Sequence, residues 1–375
     1  MKIGYEAKRV FKNFTGLGNY SRSVVQTLAE AFPQDSFYRY TPKVTSNNRL
    51  DLLKKLKNVF VRTPSTTSFK ALWRSFGLAK DAHRDGIQIF HGLSHEIPFG
   101  LKNKKIKSVV TIHDLIFLRY PQYFKFIDRK IYRFKFGHAC KNSDTIIAIS
   151  EQTKQDIIHY FGIKEEKIKV VYQSCDPIFY VTPQAEKLLQ VKQNYNLPDK
   201  FLLSVGTLEN RKNQLLIIKA LQHLPDDIQL VLVGKPTSYK NTLTEYITEN
   251  QLDKRVVFLE NIPFQDLPSI YHLSKIFVYP SVFEGFGIPI LEALNCGVSV
   301  IAAKGSCLEE AGGKSSIYID PKNDLELANK ITLILNDEAL NQKMIAQGKQ
   351  FALNFRANII AHQLMEVYKN TLTKC

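Results

Sequence analysis

Long hydrophobic runs are missing from this 375-residue sequence. No stretch approaches the ~18 consecutive apolar residues that a membrane-spanning helix needs, so none is expected. The opening residues Met1-Lys2-Ile3-Gly4-Tyr5 lead straight into a strand-like pattern, without the apolar core and small-residue cleavage site of a signal peptide. The expected location is therefore the cytoplasm. Cysteine is scarce as well. Cys140, Cys175, Cys296, Cys307 and Cys375 stand singly, at no metal-ligand spacing and in odd number, and are expected to be reduced, mostly buried, small hydrophobes. There is no Asp-x-Asp motif and no cluster of His, Asp or Glu at ligand spacing, so neither a metal nor a cofactor is expected. Acidic residues are in the minority, with 35 Asp and Glu against 51 Lys and Arg. The imbalance is local: residues 1–178 hold 31 basic and 15 acidic residues, the full net +16, while the remainder holds 20 of each. A basic half predicts an anionic neighbour, whether nucleic acid, a phospholipid surface or a phosphate-bearing acceptor; solubility alone is the plain alternative.

What is present fits a globular α/β protein of two domains. In the C-terminal half, apolar runs alternate with helical patterns. Strands are expected at Phe201–Val205, Ile228–Val233, Val256–Leu259, Ile276–Tyr279 and Val298–Ala302, and helices at Gln214–Leu221, Tyr239–Asn250, Leu267–Leu273 and Ile288–Cys296. Continuous apolar strands separated by helices mean parallel sheets covered on both faces. The N-terminal half repeats this with strands at Lys2–Tyr5, Ser36–Tyr40, Ile87–His91, Ser108–His113 and Thr145–Ile149. Its helices are expected at Asn19–Phe32, Ser68–Arg84, Phe126–Lys141 and Glu151–Phe161. The stretch Gln173–Pro183, with two X-Pro steps, reads as a linker. The expected division is 1–178 and 179–354, with a final helix at about 355–375 packing back on the first domain. Ligands of open parallel sheets bind at the carboxyl ends of the strands, so two such sheets are expected to face each other across a cleft.

Three motifs sit at such strand ends, and a fourth precedes a helix ~10 residues after the first strand. The first is Pro280-Ser281-Val282-Phe283-Glu284-Gly285-Phe286-Gly287-Ile288-Pro289-Ile290-Leu291-Glu292-Ala293. Gly285 and Gly287 permit close backbone approach, Pro289 suits a first helical turn, and amides at a helix start bind anionic or hydroxyl-rich ligands. Glu284 on the loop and Glu292 in the helix are carboxylates that accept paired hydroxyls, as in a sugar or ribose diol. The second is Gly206-Thr207-Leu208-Glu209-Asn210-Arg211-Lys212-Asn213, whose two adjacent cations suit a diphosphate that gains charge as it leaves. The third is Thr111-Ile112-His113-Asp114-Leu115 and the fourth Gly16-Leu17-Gly18-Asn19-Tyr20. A lone buried His and a glycine pair also read plainly as core and turn.

The first motif resembles the signature of the family 4 retaining glycosyltransferases, which have the two-Rossmann-domain GT-B fold, and the likeness spans nearly the whole chain. It implies that Glu284 lies near the donor sugar and its anomeric centre. It places Gly285, Phe286, Gly287 and Ile288 on sugar hydroxyls and phosphate, and Glu292 on the ribose. The second motif resembles the family's diphosphate loop, with Arg211 and Lys212 as countercharge and Gly206 and Gly234 at the nucleotide. Many members carry Arg directly after the glycine; here that position is Thr207, and Arg211 is expected to take the role. The likeness sets His113 beside the donor sugar and has the Gly16–Gly18 loop close on the phosphates and the acceptor. The combination of the His113 strand end with the Arg211–Lys212 loop is most similar to the mannosyltransferase-like subgroup that uses GDP-mannose.

Other stretches are less specific. His91, Ser94 and His95 end a further strand and are read as an acceptor pocket. Ser150-Glu151-Gln152-Thr153 reads equally as a helix cap and as a family motif. Between Arg119 and His138, basic residues interleave with seven aromatic ones, which is either a half-buried helix with a solvated face or a membrane-surface segment. The expected partners are a nucleoside-diphosphate sugar, a glycan or polyprenyl-linked acceptor and an anionic membrane surface, which makes the protein peripheral on the inner face of the plasma membrane. Two rival readings are a sugar-nucleotide epimerase of related fold and a basic nucleic-acid-binding protein. The second explains the charge but not Glu284, Glu292, Arg211 or Lys212, and no nucleic-acid partner is expected.

Overall fold

The computed structural model describes residues 1–13, 16–45, 50–64 and 72–373. The chain divides into two compact units, Met1–Gln173 with Ala357–Cys375, and Ser174–Arg356.

The first unit is built on a seven-stranded sheet in the order β3-β2-β1-β4-β5-β6-β7. The strands are β1 Lys2–Glu6, β2 Ser36–Tyr40, β3 Val59–Arg62, β4 Ile89–Gly92, β5 Lys107–Ile112, β6 Thr145–Ala148 and β7 Ile168–Val170. Every pairing is parallel. Consecutive side chains of a strand point to opposite faces. Ile3, Tyr5, Phe37, Val109 and Ile147 thus enter one apolar cluster, and Tyr38, Tyr40, Phe90, Val110 and Ile146 enter another. Because both faces are covered, buried apolar residues occupy consecutive positions, as at Val109-Val110 and Ile146-Ile147-Ala148, rather than alternate ones. The last helix, Ala357–Thr373, returns to this unit. Its Ile360, Leu364, Met365 and Tyr368 are buried in the first of these clusters. Each such side chain contributes ~1.5–3 kcal/mol relative to exposure.

The second unit carries six strands in the order β10-β9-β8-β11-β12-β13, again all parallel. They are β8 Phe201–Val205, β9 Gln229–Val233, β10 Val256–Leu259, β11 Ile276–Tyr279, β12 Ser299–Ala303 and β13 Ile317–Ile319. The sheet winds outward in both directions from the β8–β11 pair. At such a switch point the loops leaving the two strands part to opposite faces and open a crevice at the carboxyl edge.

The strands that went unread are β3, β7 and β13, and all three are sheet edges. An edge strand has one neighbour and a solvated side, so Val59–Arg62 is only partly buried along its length and gives no apolar run. Six helices among the described residues were also unread: Lys8–Lys12, Asp51–Lys55, Ile116–Arg119, Ala185–Asn194, Leu308–Gly312 and Asp324–Asn336. The expected helix Ser68–Arg84 is described only from residue 72, so its first four positions lie outside the described residues. It begins there as a π-helical turn at Trp73–Gly77, which then continues as the helix Leu78–Arg84.

Candidate active site

The β8–β11 crevice collects the charged residues of the second unit. After β8 the chain passes Gly206 and makes a short 3₁₀ turn, Asn210–Lys212. Asn213 follows in the left-handed region and ties this turn to the neighbouring loops by donating to the Pro280 and Pro321 carbonyls at 3.2 and 2.7 Å. The Val282 amide donates to the Arg211 carbonyl at 2.9 Å. Glu284 on the β11 loop is thereby set against both cations. Lys212 Nζ lies 2.6 Å from its Oε1 and Arg211 Nη1 2.8 Å from its Oε2. Tyr279, the last residue of β11, completes the group with its hydroxyl 2.7 Å from Lys212 Nζ and 3.3 Å from Glu284 Oε1. Arg211 also donates to Glu209 at 2.6 Å.

All four partners of this knot are largely shielded from water, so the charges act at short range in a poor dielectric. Burial alone would push the Glu284 carboxyl up, but Lys212 and Arg211 outweigh it and hold the pKa down at about 2. Burial would likewise lower Lys212 and Arg211; the Glu284 charge reverses this and raises both. The cluster is therefore balanced, with two cations facing the Glu284 and Glu209 carboxylates.

The glycines here serve close approach. A Cβ on Gly234, at the end of β9, would lie 1.8 Å from the Gly206 carbonyl oxygen, so the two strand ends meet backbone to backbone. Gly287 has φ +135° and starts the helix Ile288–Asn295, with Pro289 in its first turn. Gly285, Phe286, Gly287 and Ile288 form the turn between Glu284 and this helix. The Cys307 thiol holds the turn from beneath, 3.0 Å from the Glu284 carbonyl and 3.1 Å from that of Phe286. One turn into the helix, Glu292 accepts a hydrogen bond from the Tyr271 hydroxyl at 2.8 Å. Burial raises its pKa to about 7, the Tyr271 bond opposing and Asp176 adding to the rise. Glu284 is thus ionised near neutrality, whereas Glu292 titrates there.

In the first unit, His113 lies one residue beyond β5 and is buried. Its Nε2 donates to the Leu93 carbonyl at 2.8 Å, and its Nδ1 accepts from the Gln173 amide at 3.0 Å. Burial, with Arg9, pushes its pKa down to about 4 against the effect of the Leu93 bond, so the ring is neutral and its tautomer is fixed. Gln173, read from sequence as the start of a linker, is the last residue before the second unit begins at Ser174, and its side chain is buried in this contact. His91, Ser94 and His95 are buried too. His91 Nδ1 is 2.7 Å from the Tyr368 hydroxyl and Nε2 2.8 Å from that of Thr111, which is 3.0 Å from the Tyr20 hydroxyl. His95 stacks on Phe136 at 4.2 Å, and its Nδ1 accepts from the His113 amide at 3.4 Å. The Ser94 hydroxyl is buried and has no hydrogen-bond partner among the described residues. Gly16 and Gly18 open the helix Gly16–Ala31, and Arg22 braces that turn through the Val10 and Asn13 carbonyls at 2.9 and 2.7 Å. Ser150 caps the helix Glu151–Phe161, its Oγ accepting the Thr153 amide.

Residues 15–178 match the family model described as Glycosyltransferase Family 4, and residues 185–351 match that of Glycosyl transferases group 1. The chain belongs to the family 4 glycosyltransferases. Among characterised proteins this glycosyltransferase is similar to O-antigen chain mannosyltransferase B of Escherichia coli, 28% identical across 98% of this chain and 100% of that protein. Among solved structures it superposes on a glycosyltransferase of Rickettsia africae with a TM-score of 0.77, at 20% identity over 100% and 99% of the two chains. It also superposes on Anabaena Alr3699/HepE in complex with UDP, with a TM-score of 0.76, at 21% identity over 99% and 100%. The fold is GT-B: two parallel-sheet domains flanked by helices.

Three partners of the candidate site residues were not picked out from sequence. Tyr279 reads as an ordinary core aromatic at a strand end, yet its position one residue before the Pro280 motif marks it as site-facing. Tyr271 and Tyr368 sit on helices, 21 and 277 residues from Glu292 and His91, and nothing local signals these pairings.

Proposed function

We propose that this glycosyltransferase is a retaining, metal-independent hexosyltransferase. It moves mannose from GDP-mannose to a glycan or polyprenyl-linked glycan acceptor in cell-surface polysaccharide synthesis. The observation that carries the reading is the Arg211–Lys212–Glu284 cluster at the β8–β11 switch point. In this reading the second unit binds the donor and the first the acceptor. Arg211 and Lys212 hold the diphosphate and offset the charge it gains on leaving, which stabilises the transition state more than the ground state. Released from the cations, Glu284 turns to the sugar. Gly206, Gly234 and the Gly285–Ile288 turn admit phosphate and sugar hydroxyls to the backbone, and Glu292 takes the ribose diol. Gly16 and Gly18 shape the loop that closes on phosphate and acceptor. His113 presents a neutral imidazole beside the sugar. Among His91, Ser94 and His95, the unpartnered Ser94 hydroxyl is the group left to meet an acceptor. The likeness to an O-antigen mannosyltransferase favours mannose; a neighbour solved with UDP makes the nucleotide the point to test.

A thermal-shift panel of GDP-mannose, UDP-glucose, UDP-galactose and UDP-N-acetylglucosamine tests the donor. A ligand at 100 times its Kd stabilises by ~2.7 kcal/mol. Stabilisation by GDP-mannose alone is expected, and a shift with a UDP-sugar but not GDP-mannose would overturn the donor assignment.

The same reading places the protein in the cytoplasm, peripherally on the inner membrane face. The support is the helix Phe126–Asn142 and the turn before it. Tyr123, Phe126, Ile127, Ile131, Tyr132 and Phe134 are all exposed, among Lys125, Arg129, Lys130 and Arg133. Each cation near an anionic surface contributes ~1 kcal/mol. Changing these four to Glu is expected to abolish cosedimentation with anionic vesicles at low salt while leaving donor binding intact. Equal binding of the native protein to neutral and anionic vesicles, or to neither, would refute it.

A further inference from the structure

On the helix Phe126–Asn142, Ile127, Ile131, Phe134, His138 and Lys141 recur at intervals of three and four and so share one face. The apolar part of this stripe is open: Ile127 is 70% exposed, Ile131 45% and Phe134 67%. Its C-terminal end does not run out onto a flat surface. It enters a cavity of about 360 Å³ walled by Arg133, Phe134, His138 and Lys141 on one side and by Tyr160 and Phe161 of the helix Glu151–Phe161 on the other. That volume falls in the range of small-ligand sites, ~300–1,000 Å³. Gly137 lets the second helix come this close, since a Cβ there would already stand 3.3 Å from the Phe161 ring.

The polar groups of the cavity are of one kind. No carboxylate lines it, and among the described residues none lies within 4 Å of Arg133 or Lys141. By contrast, Lys135 pairs with Glu96 and Arg119 with Asp156, each at 3.1 Å. Asn142 donates to His138 Nδ1 at 3.0 Å, which puts the imidazole proton on Nε2 and makes that atom a donor. The His138 ring is held by Phe99 at 4.2 Å. The cavity thus offers two unpaired cations, fixed N–H donors and aromatic walls, with an exposed apolar track leading from its mouth.

We propose that this cavity binds the phosphate head of one anionic glycerophospholipid, with an acyl chain lying along Phe134, Ile131 and Ile127. Tetrahedral phosphate oxygens accept from several donors at once, which suits the guanidinium, ammonium and imidazole groups together. Two unpaired cations repel the quaternary ammonium of a zwitterionic head, and the apolar track distinguishes a lipid from free phosphate. The proposal rests on the reading of this face as a membrane-docking surface, and adds to it a site of defined stoichiometry.

The test uses the full chain and dihexanoyl phosphatidylglycerol below its critical micelle concentration, titrated calorimetrically beside dihexanoyl phosphatidylcholine and inorganic phosphate. Saturable binding of one phosphatidylglycerol is expected, at least tenfold tighter than phosphatidylcholine or phosphate. The double variant Arg133→Ala/Lys141→Ala should lose it by at least tenfold, and Ile127→Ser/Ile131→Ser by a smaller factor, with both melting as the native protein does. A well-folded Arg133→Ala/Lys141→Ala protein that binds the short-chain lipid as before would overturn the site. So would native protein that sediments with anionic vesicles yet shows no saturable short-chain binding, and that outcome leaves the docking surface standing. Failure to sediment with anionic vesicles overturns the docking reading itself. Phosphate binding as tightly as the lipid would make this a free-anion site and overturn the lipid assignment.

Discussion

Replacing Glu284 by Gln separates the two things this residue does. Glu284 is held 2.6 Å from Lys212 and 2.8 Å from Arg211, and folding lowers its pKa from the ordinary 4.5 to about 2. That drop corresponds to roughly 3 kcal/mol of preference for the ionised, paired state. Because the folded value is the lower one, this stabilisation is fully present above pH 4.5 and is lost as the pH falls towards 2. At pH 7, Glu284→Gln removes it and leaves two buried cations with only Glu209 to balance them, which is the costly way to break a buried ion pair. For a unit of this size 1 kcal/mol moves the melting temperature by ~2–4 °C, so a fall of roughly 6–12 °C is expected by scanning calorimetry. A nucleoside diphosphate supplies the missing negative charge and should therefore stabilise the variant more than the native protein. Transfer should fall by ~10²–10³, the typical effect of losing one preorganised charge at a reacting centre. A variant melting within 2 °C of native would refute the ion-pair reasoning. One that stays folded and keeps more than half the native activity would refute the placement of Glu284 at the reaction.

Other outcomes follow from the same geometry. Transfer should survive EDTA, because Arg211 and Lys212 supply the countercharge to the diphosphate; complete loss restored by Mg²⁺ or Mn²⁺ would show otherwise. Burial raises Glu292 to a pKa of about 7, and ionisation is what lets it accept both ribose hydroxyls. Donor affinity should thus rise by up to about tenfold between pH 6 and pH 8 and be flat with pH in Glu292→Gln; equal slopes in the two proteins would exclude this carboxylate. Tyr368→Phe leaves His91 Nδ1 buried without its 2.7 Å partner, which should cost ~1–3 kcal/mol in chemical denaturation, and an unchanged midpoint would show that His91 finds another partner.

The legibility of the fold followed burial. Strands covered on both faces are rich in apolar residues, and β2, β8, β10 and β11 have the ends that their sequences imply. Strands β3, β7 and β13 are short edges whose outer side meets solvent, and Ile168-Lys169-Val170 carries a charge at its centre. The final helix shows the same logic in reverse. Expected from about residue 355, it starts only at Ala357, after the 3₁₀ turn Leu353–Phe355 breaks the preceding helix Glu338–Ala352 from it. A continuous apolar pattern conceals that break, since Phe355 is buried as a helical residue would be.

Within the site, what could be read was what lies within one loop. Glu284, Gly285 and Gly287 share a turn, and Arg211 and Lys212 share another; chemistry and spacing reveal each. That the two turns meet depends on β8 and β11 being neighbours although 70 residues separate them, which follows from strand order and not from any local pattern. The histidines show where local reading stops. His91, His95 and His113 each end or follow a strand, which suggests a pocket. Their hydrogen bonds run instead to Tyr368, Thr111, Leu93, Gln173 and one another's backbone. A strand end in a parallel sheet faces a ligand only if no other element reaches it first. Here the helix Ala357–Thr373 arrives from the far end of the chain and puts Tyr368 against His91, so a position open in sequence is closed in the fold. The same rule bears on His113. Both its ring nitrogens are occupied, so any part it plays toward a sugar is carried by a neutral ring whose tautomer Leu93 and Gln173 have already chosen.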